Sequence, residues 1–316
     1  MEEKSKEKNG KLINVLLIII VILVIIGCVV GYLTFTKEPP KITEGGNSEI
    51  DKTPIFTMES YPKIDGSTST RPLAEAFKAD FVGIDKEKTN IKHSKTHNAY
   101  VNLINKNADI ILVTYPSEEE LKLAKENNVE LEIIPIVKEA LVFFVNKDNQ
   151  VNGLTTEQIR NIYSGQITNW KDVGGTDGEI KAYQRPPNSG SQSGMLSLVM
   201  KETKMKEPVK ETISETMADI IDVISDYKNG PTAIGYSYYY YATSMYTSDT
   251  IKLLDIDGIS PSYDNIKNGL YNLQTAYYAV IRKDEPEDSN ARKLLKAMMS
   301  ERGQNVAKEA GYVQNY

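Results

Sequence analysis

The chain has 316 residues and a formal net charge of −6, with 43 acidic and 37 basic side chains. This length is enough for one large core or for two lobes. The acidic balance, together with the absence of any basic run, argues against nucleic acid as a partner. A single cysteine excludes an intrachain disulfide, and with only two histidines a His/Cys metal site is implausible. We therefore expect neither a metal nor a cofactor.

The N-terminal segment is predicted to direct the protein to a membrane. Residues 12–30 are almost entirely Leu, Ile and Val, and the apolar run continues to Phe35, giving about 24 residues, enough to cross a bilayer. Cys28 follows Ile-Ile-Gly, which resembles the bacterial lipobox, where a signal peptide is removed and the cysteine is lipidated. The apolar residues beyond Cys28 favour an uncleaved anchor helix instead, so both interpretations stay open. We assign residues 1–36 to a signal or anchor and residues 37–60 to a tether, which places the body at the outer face of the cytoplasmic membrane.

A loop rich in hydroxyl groups follows the first short apolar segment of the body. The loop consists of Ser67, Thr68, Ser69, Thr70 and Arg71. Pro72 comes next, at a position typical of the first turn of a helix. A helix start has backbone N–H groups without partners and the positive end of the helix dipole, and both attract anions. We interpret the loop as one half of an anion site, the alternative being an ordinary polar turn.

Short apolar strands alternate with helical patterns along the body. The predicted strands are residues 108–113, 131–137, 140–146, 180–183, 233–236 and 271–282. The predicted helices are residues 118–127, with Ser117 as its cap, 155–163, 212–228 and 289–310, the last as one closing helix or a pair. This alternation predicts an α/β fold with mainly parallel sheets, in which ligands bind at the carboxyl ends of the strands.

A second loop of the same kind lies farther along the chain, just ahead of an apolar run at residues 195–200 that is compatible with a helix. Arg185 supplies a permanent cation, Ser189 and Ser191 supply hydroxyl groups, and Gly190 stands between the serines. An arginine can bind an oxyanion through two parallel hydrogen bonds, and serine hydroxyls can rotate to donate to the same oxygens. Two such loops facing one another would surround a tetrahedral oxyanion with neutral donors and fixed cations. Taken as a pair, the loops favour ligand binding over two unrelated surface turns.

Four segments of the body contain distinctive motifs, of which Ile-Tyr-Ser-Gly-x-Ile-Thr-Asn-Trp and Arg-x-x-x-Ser-Gly-Ser are the most specific. The segments are residues 65–70, 108–117, 162–170 and 185–191. Together they resemble the phosphate-binding proteins of the high-affinity phosphate ABC importer, in the type II periplasmic-binding-protein-like family. The resemblance implies a bilobal, Venus-flytrap α/β fold with phosphate between the lobes. The implied lobes are residues 61–138 with 242–316, and residues 139–241.

The resemblance also implies a function and a set of ligands. The implied function is that of a solute-binding protein, not an enzyme, which captures inorganic phosphate and delivers it to ABC permease subunits. The implied anion ligands are Ser67, Thr68, Ser69, Thr70, Thr96, Arg185, Ser189, Gly190 and Ser191.

Two further positions in the predicted site depart from the family pattern. Thr114 stands where phosphate binders commonly have an aspartate that accepts the proton of bound hydrogen phosphate, and Arg71 adds a cation beside the site. Sulfate has no such proton at neutral pH, so a carboxylate there would select against it. Without that carboxylate, sulfate, molybdate or another oxyanion stays open as the ligand.

Two other classes of function have less support in the sequence. A surface sensor with the same fold, not coupled to transport, would be favoured slightly by an uncleaved anchor helix. A hydrolase would need a nucleophile, but Gln192 occupies the centre of the only segment that resembles a nucleophile elbow. The tyrosine run at residues 237–241 is expected to pack in the core or to line the hinge between the lobes.

Overall fold

The structure, a computed structural model, describes residues 51–226 and 230–316. Its strands are β1 (Ile64–Gly66), β2 (Ile110–Val113), β3 (Leu131–Asn146), β4 (Gly153–Leu154), β5 (Lys181–Ala182), β6 (Ala233–Tyr238), β7 (Ile251–Leu253), β8 (Asp255–Ile256), β9 (Gln274–Arg282) and β10 (Val313–Gln314). Its α-helices are α1 (Arg71–Val82), α2 (Thr96–Ile104), α3 (Glu118–Glu126), α4 (Thr156–Ser164), α5 (Gly190–Gly194), α6 (Met217–Ser225), α7 (Tyr263–Lys267), α8 (Asn290–Met299) and α9 (Glu301–Glu309).

The long strand β3 organises both halves of the fold. Its first part, from Leu131 to Ala140, pairs with β9. Its second part, from Leu141 to Val145, pairs with β6, and β7 pairs with its C-terminal end. Almost every residue of β3 beyond Pro135 is buried, which accounts for its run of apolar and β-branched side chains. One strand therefore continues from the β9 side of the sheet to the β6 side.

The prediction of mainly parallel sheets was wrong. Strand β1 pairs with β2, β4 with β8 and β5 with β6 in parallel, but β3 runs antiparallel to β6, β7, β9 and β10, and β2 runs antiparallel to β9. Strand–helix alternation predicts parallel neighbours only where a helix connects two adjacent strands. The neighbours of β3 come from distant parts of the chain. The two strands predicted at residues 131–137 and 140–146 are one continuous strand, with a register shift after Pro135.

Helix starts agree well with the sequence. Ser117 caps α3 as predicted, because its hydroxyl accepts from the Glu120 backbone N–H while the Glu120 side chain accepts from the Ser117 N–H. The predicted helix at residues 212–228 is shorter, because Thr216 caps α6 and fixes its start at Met217. The closing segment is a pair of helices, since the extended backbone of Ser300 ends α8 and its hydroxyl caps α9.

The core is rich in aromatic side chains. Phe143 on β3 packs against Tyr163 on α4 and Tyr236 on β6, with ring centroids 6.1 and 5.9 Å away. The centroids of the two tyrosine rings lie 5.5 Å apart. Trp170 is buried, and its indole N–H donates to the Thr232 carbonyl oxygen over 3.0 Å. Burial of large rings supplies much of the hydrophobic stabilisation of such a core.

Three predictions about organisation are not tested by the described residues. The predicted apolar segment at residues 12–35, Cys28 and most of the tether lie outside them. Within residues 51–226 and 230–316, every helix is too short or too polar to cross a membrane. The predicted lobe limits stay a prediction. Strands β7 and β8 follow residue 241, but they pair with the end of β3 and with β4, which both lie in the predicted lobe at residues 139–241.

Candidate functional site

The first hydroxyl loop begins where β1 ends beside β2. Gly66 is needed there, because a methyl group on its Cα would lie 2.3 Å from the Leu112 carbonyl oxygen and 2.7 Å from the His93 ring. The Ser67 N–H donates to the same Leu112 oxygen, and His93 Nδ1 lies 2.7 Å from the Ser67 carbonyl oxygen. Burial lowers the pKa of His93, which favours a neutral ring whose Nδ1–H donates to Ser67. Sequence analysis gave His93 no role in this loop.

Asp65 connects this loop to the next segment of the site. Its carboxylate accepts from the Ser94 backbone N–H and hydroxyl over 2.7 and 2.6 Å, and from Asn102 Nδ2 over 2.7 Å. Burial alone would raise the pKa of Asp65, but the hydrogen bonds from Ser94 and Asn102 hold it below its ordinary value. The charged carboxylate thereby holds the residues that precede Thr96 at the start of α2.

Thr70 and Arg71 do not join the other predicted ligands. The Thr70 hydroxyl donates to the Leu112 carbonyl oxygen over 2.6 Å and also lies 3.0 Å from the Ser67 carbonyl oxygen, so it is committed to the backbone. The Arg71 side chain is 51% exposed and pairs with Glu75 over 3.4 Å, one helical turn along α1. In this structure these two side chains therefore lie apart from the other predicted ligands and do not line the cavity with them.

The second loop carries Arg185. Its backbone N–H donates to Gln192 Oε1 over 3.1 Å, and its Nη2 donates to the Glu215 carbonyl oxygen over 3.0 Å. These contacts fix the guanidinium while its Nε and Nη1 are buried without a hydrogen-bond partner among the described residues. Burial lowers the pKa of Arg185, although arginine stays charged at any physiological pH.

The serines of this loop begin a helix. Ser189 caps α5, since its hydroxyl accepts from the Gln192 N–H. Helix α5 continues directly into a π-helical turn, Met195–Met200, so the helical run extends over residues 190–200. The Ser191 hydroxyl is buried and has no partner among the described residues. The predicted helix after the second loop is thus confirmed.

The second loop meets Thr96 and Thr114 at Gly190. A methyl group on its Cα would lie 2.7 Å from Thr114 Oγ1 and 3.0 Å from Thr96 Oγ1. Thr96 begins α2, and Thr114 directly follows β2. Thr114 Oγ1 is buried and has no hydrogen-bond partner among the described residues. Residues far apart in sequence are thus brought to one place, where only glycine fits.

A cavity of about 540 Å³ lies between the loops. The predicted site residues that line it are Ser67, Thr68, Ser69, Thr96, Thr114, Arg185, Ser189, Gly190 and Ser191. The lining residues outside the predicted set are Lys95, His97, Asn98, Pro186, Pro187, Asn188, Glu215, Thr216, Met217, Tyr238 and Tyr241. Tyr238 and Tyr241 belong to the tyrosine run at residues 237–241, which was expected to pack in the core or to line the hinge between the lobes. The run was therefore noted in the sequence, but it was not predicted to line the anion site.

The charges around the cavity are mixed. Arg185 and Lys95 are the cations of the lining, and Glu215 is its carboxylate. His97 Nδ1 lies 3.1 Å from Oε1 of the buried Glu120 and is therefore engaged away from the serines. Across the cavity mouth, Asn188 Nδ2 donates to Glu119 Oε2 over 2.5 Å and so links the second loop to α3. Among residues 51–226 and 230–316, no three His, Cys, Asp or Glu side chains form a metal-binding group.

Comparison with known proteins identifies the family and the fold of this chain. A family profile described as "PBP superfamily domain" matches residues 57–302. The chain therefore belongs to the PBP superfamily, and its fold is the bilobal α/β fold of type II periplasmic binding proteins.

Two curated relatives are both named phosphate-binding protein PstS. The protein of Staphylococcus saprophyticus is 27% identical over 278 residues, which cover 85% of this chain and 83% of the relative. The protein of Bacillus subtilis is 31% identical over 170 residues, which cover 54% of this chain and 53% of the relative.

Solved structures with the same fold include an ABC-type phosphate transport receptor from Vibrio cholerae. It is 23% identical, with a TM-score of 0.62 over 81% of this chain and 100% of that chain. A phosphate-binding protein from Stenotrophomonas maltophilia is 15% identical, with a TM-score of 0.57 over 80% of this chain and 90% of that chain. At these identities the likeness establishes the fold.

Proposed function

We propose that this protein captures inorganic phosphate outside the cytoplasmic membrane and delivers it to the permease of an ABC importer. The observation that carries the proposal is a group of buried polar atoms in one cavity that have no hydrogen-bond partner among residues 51–226 and 230–316: Arg185 Nε and Nη1, Ser191 Oγ and Thr114 Oγ1. A buried polar atom without a hydrogen bond costs free energy, and an oxyanion would supply acceptors for all four. The names of the curated relatives support phosphate as that anion.

Binding would combine one permanent charge with neutral donors. Arg185 faces the anion with two N–H groups, and Ser191 and Thr114 add hydroxyl groups from opposite walls. The start of the helical run at residues 190–200 adds backbone N–H groups and the positive end of the dipole. Closure of the lobes would exclude water from the cavity and strengthen each charge-assisted hydrogen bond. The closed form is then the one that the permease would recognise.

The proposal includes the place of the protein in the cell. An anchor in residues 1–36, either a lipid on Cys28 or an uncleaved helix, would hold the body at the outer face of the cytoplasmic membrane. Residues 37–60 would serve as the tether. Mass spectrometry of the mature N-terminus distinguishes the two anchors, because a lipoprotein begins at a lipidated Cys28 and an anchored protein retains the residues before it.

We also propose binding without chemical turnover. A hydrolase of this type needs a base within reach of its nucleophile. The histidine of the lining, His97, contacts Glu120 rather than a serine hydroxyl. Serine hydroxyls at a helix start serve instead as donors and caps.

Titration calorimetry with phosphate tests the proposal. Arg185→Ala removes the charge and both free N–H groups, so affinity should fall by more than roughly a hundredfold. Arg71→Ala is the matched control, because Arg71 is exposed and paired with Glu75, and its affinity should change by less than about threefold. Unchanged phosphate binding by the Arg185 variant would contradict the site assignment.

One observation favours a second candidate, a binder of sulfate, molybdate or another oxyanion. The cavity wall at residue 114 offers the neutral hydroxyl of Thr114, not a carboxylate. Hydrogen phosphate has a proton to donate and sulfate does not, so the hydroxyl discriminates between them weakly. Competition calorimetry with both anions from pH 5 to 8 separates the candidates. Strong preference for phosphate supports the first, and equal or stronger sulfate binding supports the second.

A further inference from the structure

Two buried tyrosines support the two anion loops from beneath. The Tyr312 hydroxyl donates to the Ser69 carbonyl oxygen over 2.7 Å. The Tyr238 hydroxyl donates to the Gly190 carbonyl oxygen, also over 2.7 Å. Ser69 belongs to the first loop and Gly190 to the second, so each loop has one carbonyl held by a phenol.

The two tyrosines belong to a single cluster of rings. The Tyr238 and Tyr312 rings both pack edge-on against Tyr277, with centroids 5.6 and 6.0 Å away. Tyr312 also stacks on Tyr240, with centroids 3.6 Å apart. Tyr238 lies on β6 opposite Leu141, and Tyr277 lies on β9, so the cluster spans both strands that flank β3. The two tyrosines that hold the loops are therefore connected to each other by packed rings across β3.

A phenol on a carbonyl fixes more than the oxygen atom. The peptide unit is planar and trans, so the Gly190 carbonyl and the Ser191 N–H point in opposite directions. Holding the Gly190 oxygen therefore sets the direction of the Ser191 N–H at the start of the helical run. In the first loop, holding the Ser69 oxygen sets the peptide plane between Ser69 and Thr70. Each phenol donates its proton to a backbone carbonyl oxygen, so neither is a direct donor to an anion.

We propose that Tyr312, with Tyr238 as its counterpart, is a positioning residue for anion capture, which holds the loops in the binding-competent arrangement before the anion arrives. This inference rests on the proposed function. Tyr312 is outside the cavity lining, so it acts only through Ser69, whereas Tyr238 borders the cavity and acts through Gly190. A preorganised site avoids the entropic cost of ordering its loops on binding.

The test uses Tyr→Phe variants, which keep the ring packing and remove only the hydroxyl. Tyr312→Phe and Tyr238→Phe should each weaken phosphate affinity by about tenfold, because the freed carbonyl lets its loop adopt other conformations. Tyr271→Phe is the matched control. Tyr271 is buried and its hydroxyl donates to the Leu141 carbonyl oxygen over 3.2 Å, but neither residue lines the cavity.

Calorimetric affinity and melting temperature are measured for the full-length wild type and all three variants. We expect each variant to melt at a lower temperature, with affinity lost only in the Tyr312 and Tyr238 variants. Wild-type affinity in Tyr312→Phe, or an equal loss in Tyr271→Phe, would overturn the inference alone. Should Tyr312→Phe fail to fold, Tyr238→Phe decides between the same two outcomes. A wild type that binds neither phosphate nor sulfate would overturn the proposed function and this inference together.

Discussion

Glu139 makes the stability of this protein depend on pH. It is fully buried on β3, at the point where pairing passes from β9 to β6. Burial raises its pKa from 4.5 to about 7, against the lowering effect of hydrogen bonds from the backbone N–H groups of Ala140 and Tyr240. Tyr238 and Tyr277 face the same region with phenols whose pKa burial also raises, so they stay neutral below pH 9.

The direction of the effect follows from the proton count. Below pH 4.5 the carboxyl is protonated in both the folded and the unfolded chain. Between pH 4.5 and 7 only the folded chain keeps the proton, so the free energy of unfolding falls as pH rises. Above pH 7 both states are ionised and the loss is complete. A shift from 4.5 to about 7 corresponds to a loss of about 3 kcal/mol at about 1.4 kcal/mol per pKa unit.

Glu139→Gln removes this titration and keeps the shape of the side chain. Urea unfolding of wild type and variant from pH 4 to 9 gives the difference in unfolding free energy, in which the other titrating groups cancel. The variant should gain about 3 kcal/mol relative to wild type between pH 4.5 and 8. Glu309→Gln, at an exposed position, is the matched control for the loss of a carboxylate. A Glu139→Gln difference that does not change with pH, or that equals the Glu309→Gln difference, would refute the reasoning.

Two substitutions in the cavity test how the loops meet and what they select. Gly190→Ala places a methyl group against the Thr114 and Thr96 hydroxyls, so phosphate affinity should fall by more than about tenfold. The control Gly178→Ala meets only a Thr232 methyl at 3.9 Å and should bind as wild type. Equal phosphate affinity of the two variants in calorimetry would show that the close approach at Gly190 is not needed for binding. Thr114→Asp introduces a carboxylate into the wall, so sulfate affinity should fall by at least about tenfold more than phosphate affinity; a parallel loss of both anions in competition calorimetry would show that residue 114 does not select.

Local signals in the sequence were sufficient for much of the fold. Ser117 was predicted to cap the helix at residues 118–127, and it does cap α3, where Glu120 completes a capping box. The Gly/Ser composition after Arg185 predicted a loop followed by a helix start, which α5 confirms. Both are local, because the partners lie within four residues of one another. The direction of strand pairing around β3 is not local, since its neighbours come from distant segments, and the parallel prediction was wrong.

The candidate site shows the same division. The sequence identified the two loops, and the structure brings Thr96, Thr114 and Gly190 together. The sequence did not reveal that the Thr70 hydroxyl donates to the Leu112 carbonyl oxygen, because this contact depends on where β2 ends beside β1. The orientation of Arg71 was readable, because Glu75 lies four residues on and such pairs form along a helix surface. The support of Ser69 by Tyr312, 243 residues away, leaves no local trace.

We propose that one oxyanion binds between the two loops. A crystal structure of the protein grown with phosphate measures this most directly. We expect a tetrahedral anion within hydrogen-bonding distance of Arg185 Nε and Nη1, Ser191 Oγ and Thr114 Oγ1. An anion bound elsewhere, or an Arg185 guanidinium turned away from the cavity with phosphate present, would contradict it.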